Sequence, residues 1–388
     1  MRIAIILSKP PGYSETFFWS KIQGLLNHGH QVILVTGGTE DKFDLCHHIC
    51  HPKVYKNTAV QLFMMFKVFV GLLPYFKTVK RYMALEKHEG TPFKRIVEKL
   101  YINARLLQLK VDWIHFGFAT MAIDRELVAK AIGAKMAVSF RGYDINVYPI
   151  KNPKIYTLLW KHVDKVHSIS NDLLQKAYKL GLSKAVPYQI IMPAVNLEML
   201  PDLKSIENPQ KLKMLTIVRL HYIKGIDVLL ETAANLNKSH IDFTWEIIGS
   251  GNDNERYLYQ RLRLGLEDRV VFLGELNHPD TLRKLQETNL YVQTSLTEGF
   301  CNAVLEAQAL GKLTLAFAKG GLPENIIDGE TGFLVNEVSV DLLANKIVEV
   351  INLQDIQKQK IKEQAIKRVR ETLGLEQQQQ AFHQFYTV

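Results

Sequence analysis

At 388 residues, with 47% hydrophobic and 22% charged side chains, the chain is too long for one ordinary core and too apolar for a disordered or collagen-like protein. Its net charge of +9 is unevenly held: residues 1–200 carry 27 Lys and Arg against 14 Asp and Glu, and the remainder carries 21 against 25. A soluble globular protein of roughly two or three domains is expected, its basic half suited to a membrane surface, a phosphate-bearing lipid or a nucleic acid, or simply solvated. Three cysteines argue against a disulfide framework, and the apolar run Ile3 to Leu7 is too short for a signal peptide, so a cytoplasmic location is expected.

"RIAIIL" reads as a first strand, residues Thr16 to His28 as a helix and "QVILVT" as a second strand. "CHHICH", Cys46 to His51, follows as a polar loop; it holds several potential metal ligands, but their spacing matches no common zinc finger. "AVQLFMMFKVFVGLLPYFKTVKRY", residues 59–82, is apolar and aromatic, interrupted by Lys67, Gly71 and Pro74 and ended by a basic cluster. It is either a core helical hairpin or an interfacial segment seated on anionic lipid. "VDWIHF", "MAVSF", "KVHSIS" and "YQIIM" continue the strand series, and "VNLEMLPDLKSIENPQKLK" reads as a linker.

The alternation restarts with "MLTIV", the helix "GIDVLLETAANL", then "FTWEIIG", "RVVFLG", "LYVQT" and "KLTLAF", and ends in two polar helical stretches over 339–386. Such βαβ order predicts two Rossmann-like domains of parallel sheet with a cleft between them and ligands at the carboxyl ends of the strands. The expected domains are 1–200, 201–365 and a terminal helical segment, 366–388, that crosses back to the first.

In "LYVQTSLTEGFCNAVLEAQALG" a helix is predicted to begin near Phe300 and to end at Gly311. Its free N–H groups and positive dipole end make a seat for phosphate. Glu298 lies just before that seat, and Glu306 lies about 12 Å further along at 1.5 Å per residue. Carboxylates beside a phosphate make sense where each accepts hydrogen bonds from hydroxyls flanking it, the layout of a nucleotide-sugar. The plainer alternative makes Glu306 a helix-surface acid and Glu298 a turn residue. "IVRLHYIKG" sets Arg219 after a strand and Lys224 at a helix start, two cations able to neutralise a diphosphate. Gly320 and Gly321 form a turn where backbone can approach a ligand.

Taken in order, "RLHYIKG", "IIGSGND", "EGFCNAVLEAQALGK", "GGLPENI" and "DGETGFLV" resemble glycosyltransferase family 4, retaining enzymes of the GT-B fold, across the whole second half. The resemblance implies that Arg219 and Lys224 hold the donor diphosphate, Glu306 the ribose, and Glu298 the donor sugar near the reacting carbon. Phe300, Cys301 and Asn302 would offer backbone groups of the helix start, with Gly249, Gly320 and Gly321 also around the donor. "KPPGYSETFF" is similar to the first loop of colanic acid and amylovoran-type exopolysaccharide glycosyltransferases, which places Gly12, Tyr13, Ser14 and Glu15 on the acceptor side; Ser14, Glu15 and Thr16 also suit a helix start. "SFRGYDINVYP" resembles a cleft segment in which the family commonly has His where this chain has Arg141, a fixed cation suited to a phosphate, with Asp144 to orient it. "MPAVNLE" resembles the family's hinge, with Asn196 for its Asp.

The resulting expectation is a retaining, metal-independent glycosyltransferase without a cofactor, using a UDP- rather than a GDP-sugar as donor. Its acceptor would be a polyprenyl-diphosphate-linked saccharide, reached by peripheral contact with the inner face of the cell membrane; no nucleic acid is involved. A GT-B epimerase or phosphorylase, and a non-catalytic nucleotide-sugar-binding protein, are the alternatives. A dinucleotide oxidoreductase is disfavoured because "GSGND" lacks the third glycine of that fingerprint.

Overall fold

The computed structural model describes the chain except Gly12–Glu15, Thr39–Lys42, Asp202–Lys211 and Val388. The chain forms two compact units, Met1–Ile191 with Gln379–Val388, and Met192–Gln378.

The first unit holds β1 (Arg2–Ile6), β2 (Gln31–Thr36), β3 (His47–Cys50), β4 (Trp113–Phe116), β5 (Lys135–Phe140), β6 (Lys165–Ser168) and β7 (Tyr188–Ile190). They form one parallel sheet in the order β3-β2-β1-β4-β5-β6-β7. Ile3 to Ile6 are buried in succession rather than alternately, the pattern of a central strand covered by helices on both faces.

Two expectations need correction here. "CHHICH" contains an edge strand, not a loop: β3 pairs with β2, and its polar residues are tolerated because only one neighbour and partial burial are imposed on it. His48 Nε2 lies 2.8 Å from Thr36 Oγ1, and among the described residues no group of His, Cys, Asp and Glu is arranged to hold a metal. The core hairpin alternative for residues 59–82 also fails. The helix Thr58–Gly71 buries none of its residues, and a turn at Leu73–Tyr75 leads to the helix Phe76–His88, which buries only Tyr82 and Glu86. That second helix is pinned by Glu86, which accepts from Lys99 Nζ at 2.9 Å, Tyr82 Oη at 2.8 Å and Thr91 Oγ1 at 2.7 Å.

A polar chain crosses the buried centre of the sheet. His115 on β4 contacts Ser139 on β5 at 2.7 Å, and Ser139 contacts His167 on β6 at 2.7 Å. Lys21, fully buried, lies 3.1 Å from His115 Nε2 and 4.5 Å from the Phe382 ring, and Tyr386 Oη reaches His115 Nδ1 at 2.5 Å. Phe382, Phe385 and Tyr386 of the helix Leu375–Thr387 thereby complete the core of this unit.

The second unit holds β8 (Leu212–Ile217), β9 (Phe243–Ile248), β10 (Val270–Gly274), β11 (Leu290–Gln293), β12 (Leu313–Phe317) and β13 (Phe333–Val335). Its parallel order is β10-β9-β8-β11-β12-β13, so the direction of winding reverses between β8 and β11. β13, within "DGETGFLV", is a strand that the sequence pattern did not reveal, since three residues are too few to show a period.

The expected boundary at 200 lies earlier, after Ile191, because the following backbone is tied into the second unit: Gln378 Nε2 donates to the Met192 carbonyl at 2.9 Å and Val195 N to the Leu373 carbonyl at 3.0 Å. The return lies later than 366. The helix Asp355–Thr372 stays with the second unit, where Arg368 donates to the carbonyls of Glu324 and Asn325 at 2.6 and 2.5 Å.

Candidate active site

The second unit gathers its polar residues at the carboxyl ends of β8, β11 and β12, beside the reversal of strand order where open α/β sheets hold ligands. β8 runs into the turn Tyr222–Lys224, and Gly225 then starts the helix Ile226–Lys238. This turn is fixed from behind: Thr294 Oγ1 donates to the Lys224 carbonyl at 2.9 Å. Lys224 Nζ then meets Glu298 Oε1 in an ion pair whose side chains are mostly shielded from water.

Glu298 is held by more than the lysine. Ser295 Oγ donates to the same Oε1 at 2.9 Å and Gln293 Nε2 approaches it at 3.4 Å. Gln293 in turn accepts from the buried Tyr291 hydroxyl at 2.6 Å. Residues 291, 293 and 295 recur at the two-residue period of a strand, so one face of β11 and its extension supplies the scaffold. The backbone of Glu298 is seated on the Gly-Gly turn: Gly321 N donates to its carbonyl at 2.8 Å, and a Cβ on Gly320, at φ 61°, would lie 2.2 Å from that oxygen. Gly249 plays the matching part after β9, where a Cβ would lie 1.8 Å from the Val218 carbonyl oxygen.

The helix beyond Glu298 is Asn302–Ala309, with Cys301 at its N-cap. Phe300 and Cys301 are buried and Asn302 is exposed. The amide of Cys301 is committed within the protein, since Asn325 Oδ1 accepts it at 2.9 Å and Asn325 Nδ2 returns a bond to the Cys301 carbonyl. The expectation that Cys301 offers its backbone amide to a ligand is therefore corrected. Burial first, and then the charge of Glu298, push the Cys301 thiol up to about 12. Glu306 projects from the second turn of this helix and accepts a contact from His278 Nε2 at 2.9 Å. That hydrogen bond holds the His278 imidazole above its ordinary value.

Each glutamate thus commits its Oε1, while Oε2 of each makes no hydrogen bond within the described residues. Arg219 follows β8, is exposed and makes no ion pair among the described residues. Arg141 belongs to the first unit, after β5, with its guanidinium 4.1 Å from the Phe17 ring centre and 4.9 Å from that of Phe18. Asp144 touches Arg141 through the backbone amide, at 3.1 Å, so it shapes the turn. Gly12, Tyr13, Ser14 and Glu15 lie outside the described residues.

Residues 202–368 match the family described as glycosyl transferases group 1. The second unit is a group 1 glycosyltransferase domain. The putative colanic acid biosynthesis glycosyltransferase WcaL of Salmonella typhimurium is 24% identical over 99% of this chain and 98% of its own. One subunit of the phosphatidylinositol N-acetylglucosaminyltransferase of Arabidopsis thaliana is 25% identical over 82% of this chain, which spans 66% of that protein's length. Among solved structures, Anabaena HepE in complex with UDP and glucose superposes with a TM-score of 0.70 at 18% identity, covering 100% of this chain and 99% of that one. The fold is GT-B, as the sequence motifs implied.

Four residues around these glutamates were not singled out from the sequence: Gln293, Ser295, Asn325 and His278. The first two were legible only as alternate positions on β11 and its extension. Asn325 lies inside "GGLPENI", and His278 follows Asn277, whose side chain caps the helix His278–Gln286.

Proposed function

We propose that the protein is a retaining glycosyltransferase that moves a sugar from a nucleotide-sugar, of the UDP type, to a polyprenyl-diphosphate-linked saccharide at the inner face of the cell membrane. The observation that carries this reading is the Lys224–Glu298 pair, held at the strand-order reversal of a group 1 glycosyltransferase domain. The UDP bound to Anabaena HepE supports the donor class, and the colanic acid relative supports an exopolysaccharide product.

In this reading Lys224 and Arg219 face the diphosphate and stabilise the charge that grows on it as the glycosidic bond breaks. Glu306 accepts from ribose hydroxyls, and Glu298 Oε2 accepts from a hydroxyl of the donor sugar. The acceptor hydroxyl attacks from the face that the diphosphate leaves, and its proton passes to the departing phosphate oxygen, so the anomeric configuration is kept. No metal is required, because the cations carry the neutralisation. Arg141 is assigned to a phosphate of donor or acceptor, and Gly12–Glu15 to the acceptor side.

The test is a thermal-shift panel of UDP, GDP and ADP with assays of sugar transfer. A ligand that binds only the folded protein stabilises it by about 2.7 kcal/mol at a hundred times its dissociation constant. UDP is expected to raise the melting temperature of the wild type and not of Lys224→Ala. Glu298→Gln is expected to keep the UDP shift and to lose sugar transfer by roughly 10²-fold or more. Unchanged turnover in Glu298→Gln, or a shift that survives in Lys224→Ala, rejects the assignment.

A further inference from the structure

The helix Thr58–Gly71 half-buries Met64, Met65, Val68 and Phe69 and leaves Leu62, Phe63, Phe66 and Val70 exposed to solvent. Phe63 and Phe66 are 67% and 69% exposed, Leu73 in the following turn is 67% exposed, and Phe76 at the next helix start is 61% exposed. Positions 63, 66 and 70 recur at the spacing of one helical face, and Leu73 and Phe76 add exposed apolar surface beyond the bend. An apolar surface of this size is costly in water unless something covers it.

The charge around it narrows the choice of cover. Between Asp44 and Glu86 the sequence has no acidic residue, while Lys53, Lys56, Lys67, Lys77, Lys80 and Arg81 are all exposed. A surface made only for a second protein chain has no need of a one-signed rim. Exposed aromatic side chains interleaved with cations match the boundary of an anionic bilayer, where rings enter the acyl region and ammonium groups stay among the headgroups.

The geometry also fixes the mode of contact. No single helix among the described residues is long and apolar enough to cross a membrane, and the two helices here are bent by 54° at Leu72. The second of them is tied to the first unit through the buried pair of Glu86 and Lys99. Resting on the reading of a peripheral enzyme above, we infer that this bent pair lies in the plane of an anionic lipid leaflet. Phe63, Phe66, Leu73 and Phe76 are inserted, with Lys77, Lys80 and Arg81 at the headgroups.

The experiment is flotation of the full chain with vesicles of phosphatidylcholine alone and of phosphatidylcholine mixed with phosphatidylglycerol. Binding is expected to the mixed vesicles and to fall with salt. Replacing Lys77, Lys80 and Arg81 together by Gln should weaken it roughly 100-fold, at about fivefold per charge. Phe63→Ser with Phe66→Ser should weaken it at least about 100-fold, from the apolar area no longer inserted. In Phe66→Trp, vesicles should blue-shift the added emission, and lipids brominated on the acyl chain should quench it.

Equal binding to neutral vesicles, or binding indifferent to the two Phe changes, overturns the inference. So does an absence of binding to the mixed vesicles; where Phe63→Ser with Phe66→Ser then abolishes self-association in sedimentation, a second copy is the cover. The UDP shift, measured on each variant, reports folding. Its absence from the wild type would count against the donor reading while leaving the vesicle result to stand by itself.

Discussion

His278 Nε2 lies 2.9 Å from Glu306 Oε1, so the glutamate read as the ribose acceptor is oriented by an imidazole from the neighbouring helix. The hydrogen bond to Glu306 raises the pKa of His278, with burial opposing it. The folded value therefore lies above that of the unfolded chain. Its stabilisation is fully present below the unfolded value of about 6.5 and is lost as pH rises through the folded value. The melting-temperature advantage of wild type over His278→Gln should accordingly shrink from about pH 6 to pH 8. A difference that grows across that window contradicts the assignment of the charged pair. UDP affinity, read in the same series, shows whether orientation of Glu306 matters to the donor.

Gly320 stands in left-handed backbone against the Glu298 carbonyl, which makes it a sensitive point for the placement of that glutamate. Alanine there costs about 1 kcal/mol for the conformation alone, and a contact of 2.2 Å with backbone forces the loop to move as well. Gly320→Ala should lower the melting temperature modestly and reduce sugar transfer far more than the stability loss explains. Gly329→Ala is the control: it also has positive φ, at 74°, but nothing lies within 4 Å of the added carbon. Equal losses of transfer in the two variants would mean that backbone strain alone, rather than the seating of Glu298, is responsible.

What the sequence made legible follows from what each element owes to its neighbours. The central strands announced themselves because Ile3 to Ile6 must be apolar on both faces, and Leu313 to Phe317 is likewise buried throughout, with Thr314 its one polar residue. β3 did not, since an edge strand pairing only with β2 can keep two histidines and a cysteine. The exposed helix Thr58–Gly71 was ambiguous for the opposite reason: composition says that a side chain is apolar, not whether anything covers it. At the site, Glu298 and Glu306 could be picked out by spacing along one segment. Their partners Ser295 and Gln293 were within reach of the same reasoning, whereas His278 is brought to Glu306 by tertiary packing that no local pattern encodes.

Cys301 gives a test of how closed the start of the helix Asn302–Ala309 is. Its thiol is buried and pushed up to about 12, first by burial and then by Glu298, so the reactive thiolate is scarce near neutral pH. Alkylation of the native protein followed by peptide mapping should leave Cys301 unmodified, with full labelling only after denaturation. Rapid labelling of the native protein at Cys301 would mean that this helix start opens to solvent, and the commitment of its amide to Asn325 would have to be abandoned.

The first unit should be the acid-labile one. Burial lowers the pKa of His167 to about 3, with the charge of Lys21 acting in the same direction, and it lowers that of His115 well below the usual imidazole value. For groups depressed in this way, the stability they contribute is present above the unfolded value near 6.5 and is lost as pH falls toward the folded value. Each buried histidine then costs the fold about 1.4 kcal/mol per pH unit across that window. Tyr386 bonds directly to His115, so the helix Leu375–Thr387 should be among the first elements released. Hydrogen exchange between about pH 6.5 and pH 4 should therefore show protection falling at Phe382–Tyr386 and along β4 to β6 before the core of the second unit. His167→Gln removes one titrating group and should flatten the acid limb of the stability curve. Simultaneous loss of protection in both units, with no change on that substitution, would place the acid-sensitive groups elsewhere.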